Sequence, residues 1–410
     1  MNTKWLAFVL LVLTAGVVAL YPSIQPCCGG GSGGEPPPPN PPPNQQPDPK
    51  ITTEQKPRVE AVFVLDTTGS MSGLIQAAKE KIWSIASTMA AAQPAPEIRL
   101  GLVAYRDRGD DYVTRRVDLS KDLDSVYATL MEFQAQGGGD GPESVNQALR
   151  EAVENLSWSQ DPNTYRVIFL VGDAPPHMDY QDDVPWSSTL VRAKELGIHV
   201  NAVQCGSNST TKTVWQQIAQ AGNGRYFQVD QGGSALAVTT PYDKRLADLA
   251  AKLDKTRLYY GSEEEKAKKA RKVEAAEKLH ETASSAAQAR RAAFNLSESG
   301  KANLFGEGEL VEDVASGRVD LEAIPAPALP PALQSLSKEE QAAKIRETAE
   351  QRAALEAEMK RLAKEREAYL RRKVEKMDGV EESLDHSIYR AVRKQASEAG
   401  LRYEADAPAY

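Results

Sequence analysis

Residues 62–71 read Val-Phe-Val-Leu-Asp-Thr-Thr-Gly-Ser-Met, and this stretch decides the fold. Its first half is a short apolar run, which is typical of a strand buried on both faces of a sheet. The run ends in Asp66, and hydroxyl side chains follow at Thr68 and Ser70. A turn after a strand can aim these three oxygens at one point, and hard divalent cations prefer oxygen ligands. The stretch therefore predicts either a metal-binding turn or an ordinary turn, since Asp, Ser and Gly are common in both.

Two later stretches support the metal-binding interpretation. Residues 137–144 form a glycine-rich acidic loop, Gly-Gly-Gly-Asp-Gly-Pro-Glu-Ser, in which Pro142 is predicted to open a helix. Residues 167–173 are a second apolar run that ends in Asp173. Ligands of open α/β sheets bind beyond the carboxyl ends of the strands, where the strand order reverses. The three stretches therefore predict one shared site at that edge.

With these motifs the chain resembles a von Willebrand factor A (VWA) domain that carries a metal-ion-dependent adhesion site, of the exported bacterial type. The second loop is similar to that of integrin β subunits, and Asp140 matches a residue that serves a further ion there. The acids that hold an adjacent ion in those subunits are replaced here by Gly73 and Leu74. The resemblance implies Mg²⁺ as cofactor, or Mn²⁺ or Ca²⁺, and a partner that presents an acidic residue. The metal ligands that it implies are Asp66, Thr68, Ser70, Glu143 and Asp173, with Asp140 as a possible addition.

Strands and helices alternate from residue 58 to residue 229, which predicts an α/β fold with a doubly wound, mostly parallel sheet. Residues 112–117 are the one segment predicted as an antiparallel edge strand. We assign residues 58–240 to this domain. The loop after Asp173 contains His177, Asp179 and Asp183, which suit a solvated rim, a second metal cluster or a catalytic acid–base pair.

A charged α-helical region is predicted after the domain. Residues 241–300 form a charged helical segment, in which a capping box at Ser262 opens a helix that continues to about Phe294. Residues 301–336 are a Pro-containing linker, and residues 337–410 a second charged helical segment.

The helix that opens at Ser337 shows two patterns. Glu340/Lys344, Glu356/Lys360 and Glu367/Arg371 are spaced for i,i+4 ion pairs. A heptad seam runs along the helix but includes arginines, so a coiled coil and a charged helix that docks on the first domain or braces a partner both stay open. The seam consists of Leu355, Met359, Leu362 and Tyr369, together with Arg352, Arg366 and Lys373.

The N-terminal residues predict export. Residues 1–26 contain an apolar run at 5–21, typical of a signal peptide or a single-pass signal anchor, and residues 27–57 are a Gly/Pro-rich linker. Lipidation at Cys27 or Cys28 is a third option. We expect a location in the cell envelope outside the cytoplasm, with the chain secreted, periplasmic or anchored in the membrane.

Composition narrows the function further. The 410 residues carry a net charge of −8 and show no basic patch, so we expect no nucleic-acid partner. No G-x-x-x-x-G-K-[ST] motif is present, and Thr68 stands where an aspartyl-phosphate enzyme needs its second Asp. We therefore predict a binding protein rather than an enzyme. The alternatives are a structural envelope protein acting through its C-terminal helices and a metal-dependent hydrolase.

Overall fold

A computed structural model describes residues 56–139, 141–230, 238–376 and 384–404, which belong to one compact unit. Within these ranges six strands form a sheet in the order β3-β2-β1-β4-β5-β6. The strands are β1 Arg58–Asp66, β2 Glu97–Tyr105, β3 Thr114–Ser120, β4 Thr164–Gly172, β5 Ile198–Cys205 and β6 Tyr226–Val229.

All neighbouring strands are parallel except β2 and β3, which are antiparallel. The predicted doubly wound, mostly parallel sheet is thereby confirmed. The strand order reverses at β1, which pairs with β2 on one side and with β4 on the other. Leu65 lies opposite Val171, so Asp66 at the end of β1 and Asp173 directly after β4 lie at the same edge. This edge is where an open α/β sheet binds its ligands.

Helices cover both faces of the sheet. On one face α3, α4 and α5 pack against the sheet, and α3 does so with apolar residues at the i, i+3, i+4, i+7 positions of an amphipathic helix. The other face is covered by α1, α2 and parts of the C-terminal region. The helices of the first domain are α1 Ser72–Ala90, α2 Leu123–Glu132, α3 Val145–Glu154, α4 Trp186–Glu195 and α5 Ser209–Ala221.

The C-terminal region is helical, as predicted, but its helices differ in extent from the expectation. The helix that opens at Ser262 ends at Thr282 instead of Phe294, because Ser284 caps a new helix by accepting a hydrogen bond from Ala287 N. Residues 301–336 contain two short helices and two 3₁₀ turns. The helices are α6 Asp243–Asp254, α7 Glu263–Thr282, α8 Ser285–Asn295, α9 Lys301–Leu304, α10 Leu310–Ala315, α11 Lys338–Val374 and α12 Leu384–Ala396.

The C-terminal residues complete the core of the first domain. Phe294 of α8 packs on Trp83 with ring centroids 5.8 Å apart. Gln395 of α12 accepts a hydrogen bond from Tyr165 Oη at 2.7 Å and exchanges two more with Asn201. Because these contacts are buried, the helices belong to the same core as the sheet.

Most of the predicted seam of α11 is buried or half-buried and packs on other helices, whereas Lys373 is exposed. Arg352 and Arg366 lie in its buried part because each has a buried acid opposite, Glu309 and Asp243 respectively. The predicted pairs Glu356/Lys360 and Glu367/Arg371 form. The predicted pair Glu340/Lys344 is wrong: Glu340 instead accepts the backbone N–H of Ser337 and closes the capping box, and Lys344 pairs with Glu347.

Within the described ranges no helix is both long and apolar enough to cross a membrane. The apolar run at 5–21 lies outside those ranges, as do Cys27 and Cys28. Cys205 is a free, buried thiol at the end of β5.

Candidate metal centre

The first motif gathers its side chains at the end of β1. Asp66 is fully buried, and its Oδ1 accepts hydrogen bonds from the backbone N–H of Thr68 at 2.8 Å and from Thr68 Oγ1 at 2.6 Å. Ser70 Oγ lies 3.4 Å from Thr68 Oγ1. The second oxygen, Asp66 Oδ2, is buried without a hydrogen-bond partner. The predicted turn thus brings one carboxylate and two hydroxyls together and leaves a carboxylate oxygen unsatisfied.

The glycine-rich loop packs directly on this turn. Gly69 N donates to Gly137 O at 3.1 Å. Gly138 has φ +82°, and a Cβ there would lie 3.3 Å from Thr68 Cβ and 3.4 Å from Glu143 Oε1. A left-handed backbone this close to two side chains requires glycine. Gly138 therefore lies between Thr68 and Glu143, whereas Asp140 lies outside the described residues.

Glu143 is held by the loop that follows β4. Its N–H donates to Pro175 O at 2.9 Å, and its C=O accepts from His177 N at 3.0 Å. Glu143 is only 4% exposed, and its Oε2 has no hydrogen-bond partner. The following helix begins at Val145, with Ser144 as its N-cap, so Pro142 does not occupy the first helical position as predicted.

Asp173 follows β4, next to Asp66. At the preceding position, Gly172, a Cβ would collide with Tyr105 Oη and lie 3.1 Å from Asp66 Oδ2. Thr211 Oγ1 donates to Asp173 O at 3.0 Å, which ties this corner to α5. The structure therefore places all five predicted ligands that it describes at one end of β1 and β4.

The two buried carboxylates lack a cationic partner among the described residues. Burial raises the pKa of Asp66 to about 7, and the charge of Asp173 adds to the rise, while hydrogen bonds from Thr68 and from the backbone of Asp173 oppose it. Burial likewise raises the pKa of Glu143 to about 9, and the neighbouring carboxylates, Asp66 first among them, add to the rise. The site is thus short of positive charge.

The donor set suits a hard divalent cation. Two buried carboxylate oxygens without hydrogen-bond partners, Asp66 Oδ2 and Glu143 Oε2, would gain a partner from such an ion. No three His, Cys, Asp or Glu side chains in the described ranges are gathered as a metal cluster. An ion here would therefore need hydroxyl ligands as well, and Thr68 and Ser70 carry such groups.

A buried polar network lies beside this site, and the sequence did not indicate its centre. Asp107 follows β2 and accepts hydrogen bonds from Ser144 Oγ at 2.9 Å and from Tyr180 Oη at 3.0 Å. His177 Nε2 lies 3.3 Å from Asp107 Oδ2, and its ring stacks on Tyr180. The sequence carried one signal for Asp107: it is an acid that lies two residues after the end of the apolar strand β2.

The loop after Asp173 is a structured rim. His177 Nδ1 lies 2.8 Å from Asp179 Oδ1, so the imidazole bridges an exposed and a buried carboxylate. Asp183 accepts a hydrogen bond from Val184 N instead of joining His177. The second metal cluster considered from the sequence is not formed by the described residues.

Comparisons with known proteins agree with this fold. Residues 60–240 match a sequence profile of the von Willebrand factor A domain. An alpha-protein kinase, vwkA, from Dictyostelium discoideum is 29% identical over 122 residues, which cover 29% of this chain and 19% of the kinase. The human von Willebrand factor A domain-containing protein 7 is 35% identical over 114 residues, covering 28% of this chain and 12% of that protein. The chain thus spans less than a fifth of the length of these relatives.

Two solved structures are also similar. The SpRpn10 VWA domain aligns with 13% identity and a TM-score of 0.34, covering 43% of this chain and 89% of that one. Proximal thread matrix protein 1 from the mussel byssus, with a zinc-occupied MIDAS motif, aligns with 14% identity and a TM-score of 0.33, covering 42% of each chain.

Fold and sequence together define the class of the first domain. It is an open, mostly parallel α/β sheet with an acidic, hydroxyl-containing site at the carboxyl ends of its central strands. Residues 60–240 form a von Willebrand factor A domain. VWA domains generally bind protein partners.

Proposed function

We propose that this chain is a protein-binding module that holds Mg²⁺, or alternatively Mn²⁺ or Ca²⁺, and grips an acidic residue of a protein partner there. A bound divalent ion would supply positive charge and an exchangeable coordination position for the partner's carboxylate. The residues that would hold it are Asp66, Thr68, Ser70, Glu143 and Asp173.

The observation that carries this proposal is the pair of buried oxygens without partners, Asp66 Oδ2 and Glu143 Oε2. A buried carboxylate oxygen without a hydrogen bond is destabilising, and native structures rarely keep two at one place without a reason. Both raised pKa values have the same origin, because burial and repulsion by neighbouring carboxylates favour the protonated forms. A divalent ion would relieve both effects.

The protein's own residues prepare the site. The hydrogen bonds from Thr68 fix the orientation of the Asp66 carboxylate. Two backbone hydrogen bonds, to Pro175 and from His177, fix the main chain of Glu143 beside the site, and burial restricts the side chain. Such fixed ligands lower the entropic cost of binding an ion.

Binding is favoured over serine-based hydrolysis because His177, beside the site, is already engaged. His177 contacts Asp107 and Asp179, and Ser144 donates its hydroxyl proton to Asp107 rather than to His177. An activated serine would need to donate to the imidazole. We therefore propose that the module is not an enzyme. We also propose that the chain is exported and tethered to a membrane through the run at 5–21, which N-terminal sequencing of the mature protein tests.

A pulldown with the full chain tests the proposed function. Envelope extracts are passed over the wild type and over Asp66→Asn, which keeps the side-chain volume, each in Mg²⁺ and in excess chelator. Asp248→Asn, on the exposed surface of α6, is the matched control. We expect partner capture by the wild type and the control in Mg²⁺ only.

Capture that is equal in Mg²⁺ and chelator, and equal for Asp66→Asn, would contradict the proposal. It would favour the structural alternative, in which the C-terminal helices carry the contact. Circular dichroism of Asp66→Asn confirms that a loss of capture is not a loss of fold.

A further inference from the structure

The surface around the candidate metal centre carries an excess of negative charge. The exposed side chains of Asp111 and Asp182 are 83% and 76% accessible. Asp110 accepts the backbone N–H of Gly138 at 3.1 Å, which places its carboxylate on the glycine-rich loop. The acidic rim, as we use the term below, consists of Asp110, Asp111, Asp179, Asp182 and Asp183.

Arg106, Arg108 and Arg150 lie close to the acidic rim, and each is already engaged, Arg150 with Glu154 at 3.0 Å. Arg108 pairs with Asp182 at 2.8 Å and covers the Tyr180 ring, with its guanidinium carbon 4.1 Å from the ring centroid. Arg106 is buried, donates to Gln134 O and reaches Asp111 only at 3.7 Å. Three guanidinium groups, one of which is paired with Glu154, do not neutralise five carboxylates, so the rim stays negative.

The charge beneath the rim has the same sign. Asp66, Glu143 and Asp173 are three carboxylates, and one divalent ion does not neutralise all three when they are ionised. The unpartnered buried oxygens of Asp66 and Glu143 support the proposed ligand site, in addition to the acidic surface. A carboxylate that approaches the ion therefore passes through a negative field.

Repulsion of this kind acts over a short range. At physiological ionic strength the screening length is about 8 Å, roughly the distance between a side chain and its near neighbours in an extended peptide. The residues immediately beside the capturing acid therefore lie within reach of the acidic rim. Opposite charges at those positions speed association and like charges oppose it.

We propose that the partner's binding segment is an acidic residue flanked closely by lysine or arginine residues. This inference rests on the proposed function, because the central carboxylate is the group held by the ion. The flanking cations contact the acidic rim and offset its repulsion of the central acid. Selection by the rim thus excludes the acid-rich segments that a metal ion alone would accept.

Synthetic peptides measured against the full chain test this inference. Four peptides share one neutral framework and differ in a central triplet: Lys-Glu-Lys, Ser-Glu-Ser, Glu-Glu-Glu or Lys-Gln-Lys. Binding is followed by fluorescence anisotropy in Mg²⁺ at low and at high salt, and in chelator. We expect Lys-Glu-Lys to bind about tenfold more tightly than Ser-Glu-Ser at low salt, Glu-Glu-Glu to bind more weakly than both, and salt to reduce these differences.

A variant of the acidic rim tests whether the rim causes the preference for flanking lysines. Asp111→Asn combined with Asp182→Asn should reduce the preference for Lys-Glu-Lys over Ser-Glu-Ser and leave the binding of Ser-Glu-Ser dependent on Mg²⁺. The matched control is Asp248→Asn combined with Glu365→Gln, which removes two exposed charges from α6 and α11. The control should keep the full preference.

The outcomes separate this inference from the proposed function. Equal binding of Lys-Glu-Lys, Ser-Glu-Ser and Glu-Glu-Glu, lost in chelator, would overturn the flanking-charge inference and support the metal-dependent function. Lys-Gln-Lys binding as tightly as Lys-Glu-Lys, in Mg²⁺ and in chelator alike, would overturn both, since neither the acid nor the ion would matter. No binding of any peptide at millimolar concentration would overturn the flanking-charge inference alone, because the pulldown tests the function separately.

Discussion

Two regions of this molecule contain buried carboxylates, which, among the described residues, lack cationic partners in one region and have them in the other. At the end of β1 and β4, Asp66 and Glu143 are buried without a cation, and their pKa values are raised to about 7 and about 9. Between the first domain and the C-terminal helices, Asp124 is just as buried, but cationic side chains hold its pKa well below the usual range against the effect of burial. In the part of the chain that the structure describes, the first region therefore lacks the cationic partners that the second region contains.

The charge network of the second region is well satisfied. Arg291 of α8 donates to both oxygens of Asp124 at 2.6 Å and lies 2.8 Å from Asp254. Arg257 and His280 also contact Asp254, at 2.7 Å each. Two-pronged contacts of this kind are the strong form of a charge pair.

This contrast indicates what each region is for. The network around Asp124 joins one part of the chain to another, so its charges are neutralised by partners within the molecule. An unsatisfied pair at a ligand-binding edge leaves room for a charge from outside. The contrast therefore supports the metal-dependent function without reference to any relative.

The largest effect is expected when the satisfied network is broken. Arg291→Met leaves Asp124 and Asp254 buried with too little positive charge, and removing one partner of a buried pair costs about 3–5 kcal/mol. Chemical denaturation of the full chain measures the loss. The control is Arg361→Met, in an exposed i,i+4 pair with Glu365 on α11, which should change stability far less. Equal effects of both substitutions would mean that the buried network does not hold the helices to the domain.

The sequence could not have predicted this network. Arg291 and Asp124 are 167 residues apart, and nothing local marks either as a partner of the other. Gln395 is likewise 230 residues from Tyr165. What the sequence does predict are local features: the apolar strands, the capping boxes and the acids that follow the strands.

The candidate metal centre likewise has some features that the sequence predicts and others that it does not. Asp66 and Asp173 could be predicted to meet, because each directly follows a buried strand and parallel strands end at the same edge. The engagement of His177 with Asp107 could not, since it depends on how the rim loop folds back on the loop after β2. The arginines on the seam of α11 are visible in the sequence, but their partners Glu309 and Asp243 come from distant segments.

The second effect concerns the ion. Mg²⁺ should stabilise the full chain by mass action, by about 2.7 kcal/mol at a free concentration one hundred times the Kd. Thermal unfolding with increasing Mg²⁺ measures the shift, and Asp66→Asn should abolish it. The Asp248→Asn control should keep it. An unchanged Tm of the wild type up to millimolar Mg²⁺ and Mn²⁺ would show that the unsatisfied carboxylates do not form an ion site.

The third effect is a dependence on pH that has opposite signs in the two regions. The folded-state pKa values of Asp66 and Glu143 lie above their unfolded values, so the unfolded chain binds fewer protons between about pH 4 and pH 9. In chelator, stability should therefore fall as pH rises through this window, by at most about 1.4 kcal/mol per pH unit for each group. Asp124, with a lowered pKa, loses its contribution only as pH falls below about 4.

Glu143→Gln isolates the contribution of Glu143 to the pH dependence of stability. The amide keeps the size of the side chain but cannot ionise, so the Tm in chelator should stop falling between pH 7 and pH 9, where Glu143 is the main group that titrates at this site. The matched substitution Asp124→Asn should leave the slope in that range unchanged while it lowers the Tm throughout. A wild-type Tm in chelator that rises from pH 7 to pH 9 would contradict the assignment of the raised pKa to Glu143.

The smallest effect is expected from the exposed end of the rim. Asp179→Ala removes one acceptor of His177 Nδ1, but the imidazole keeps its contact with Asp107 and its stacking on Tyr180. The rim loop should therefore stay in place, with a change in Tm on the order of 1 °C and an unchanged Mg²⁺ affinity in the thermal titration. Asp107→Asn is the informative counterpart, because Asp107 is buried and accepts from both Ser144 and Tyr180. If Asp179→Ala weakened Mg²⁺ binding as strongly as Asp107→Asn, the exposed carboxylate would have to hold Glu143 in position through His177, and the division between a fixed site and a solvated rim would be wrong.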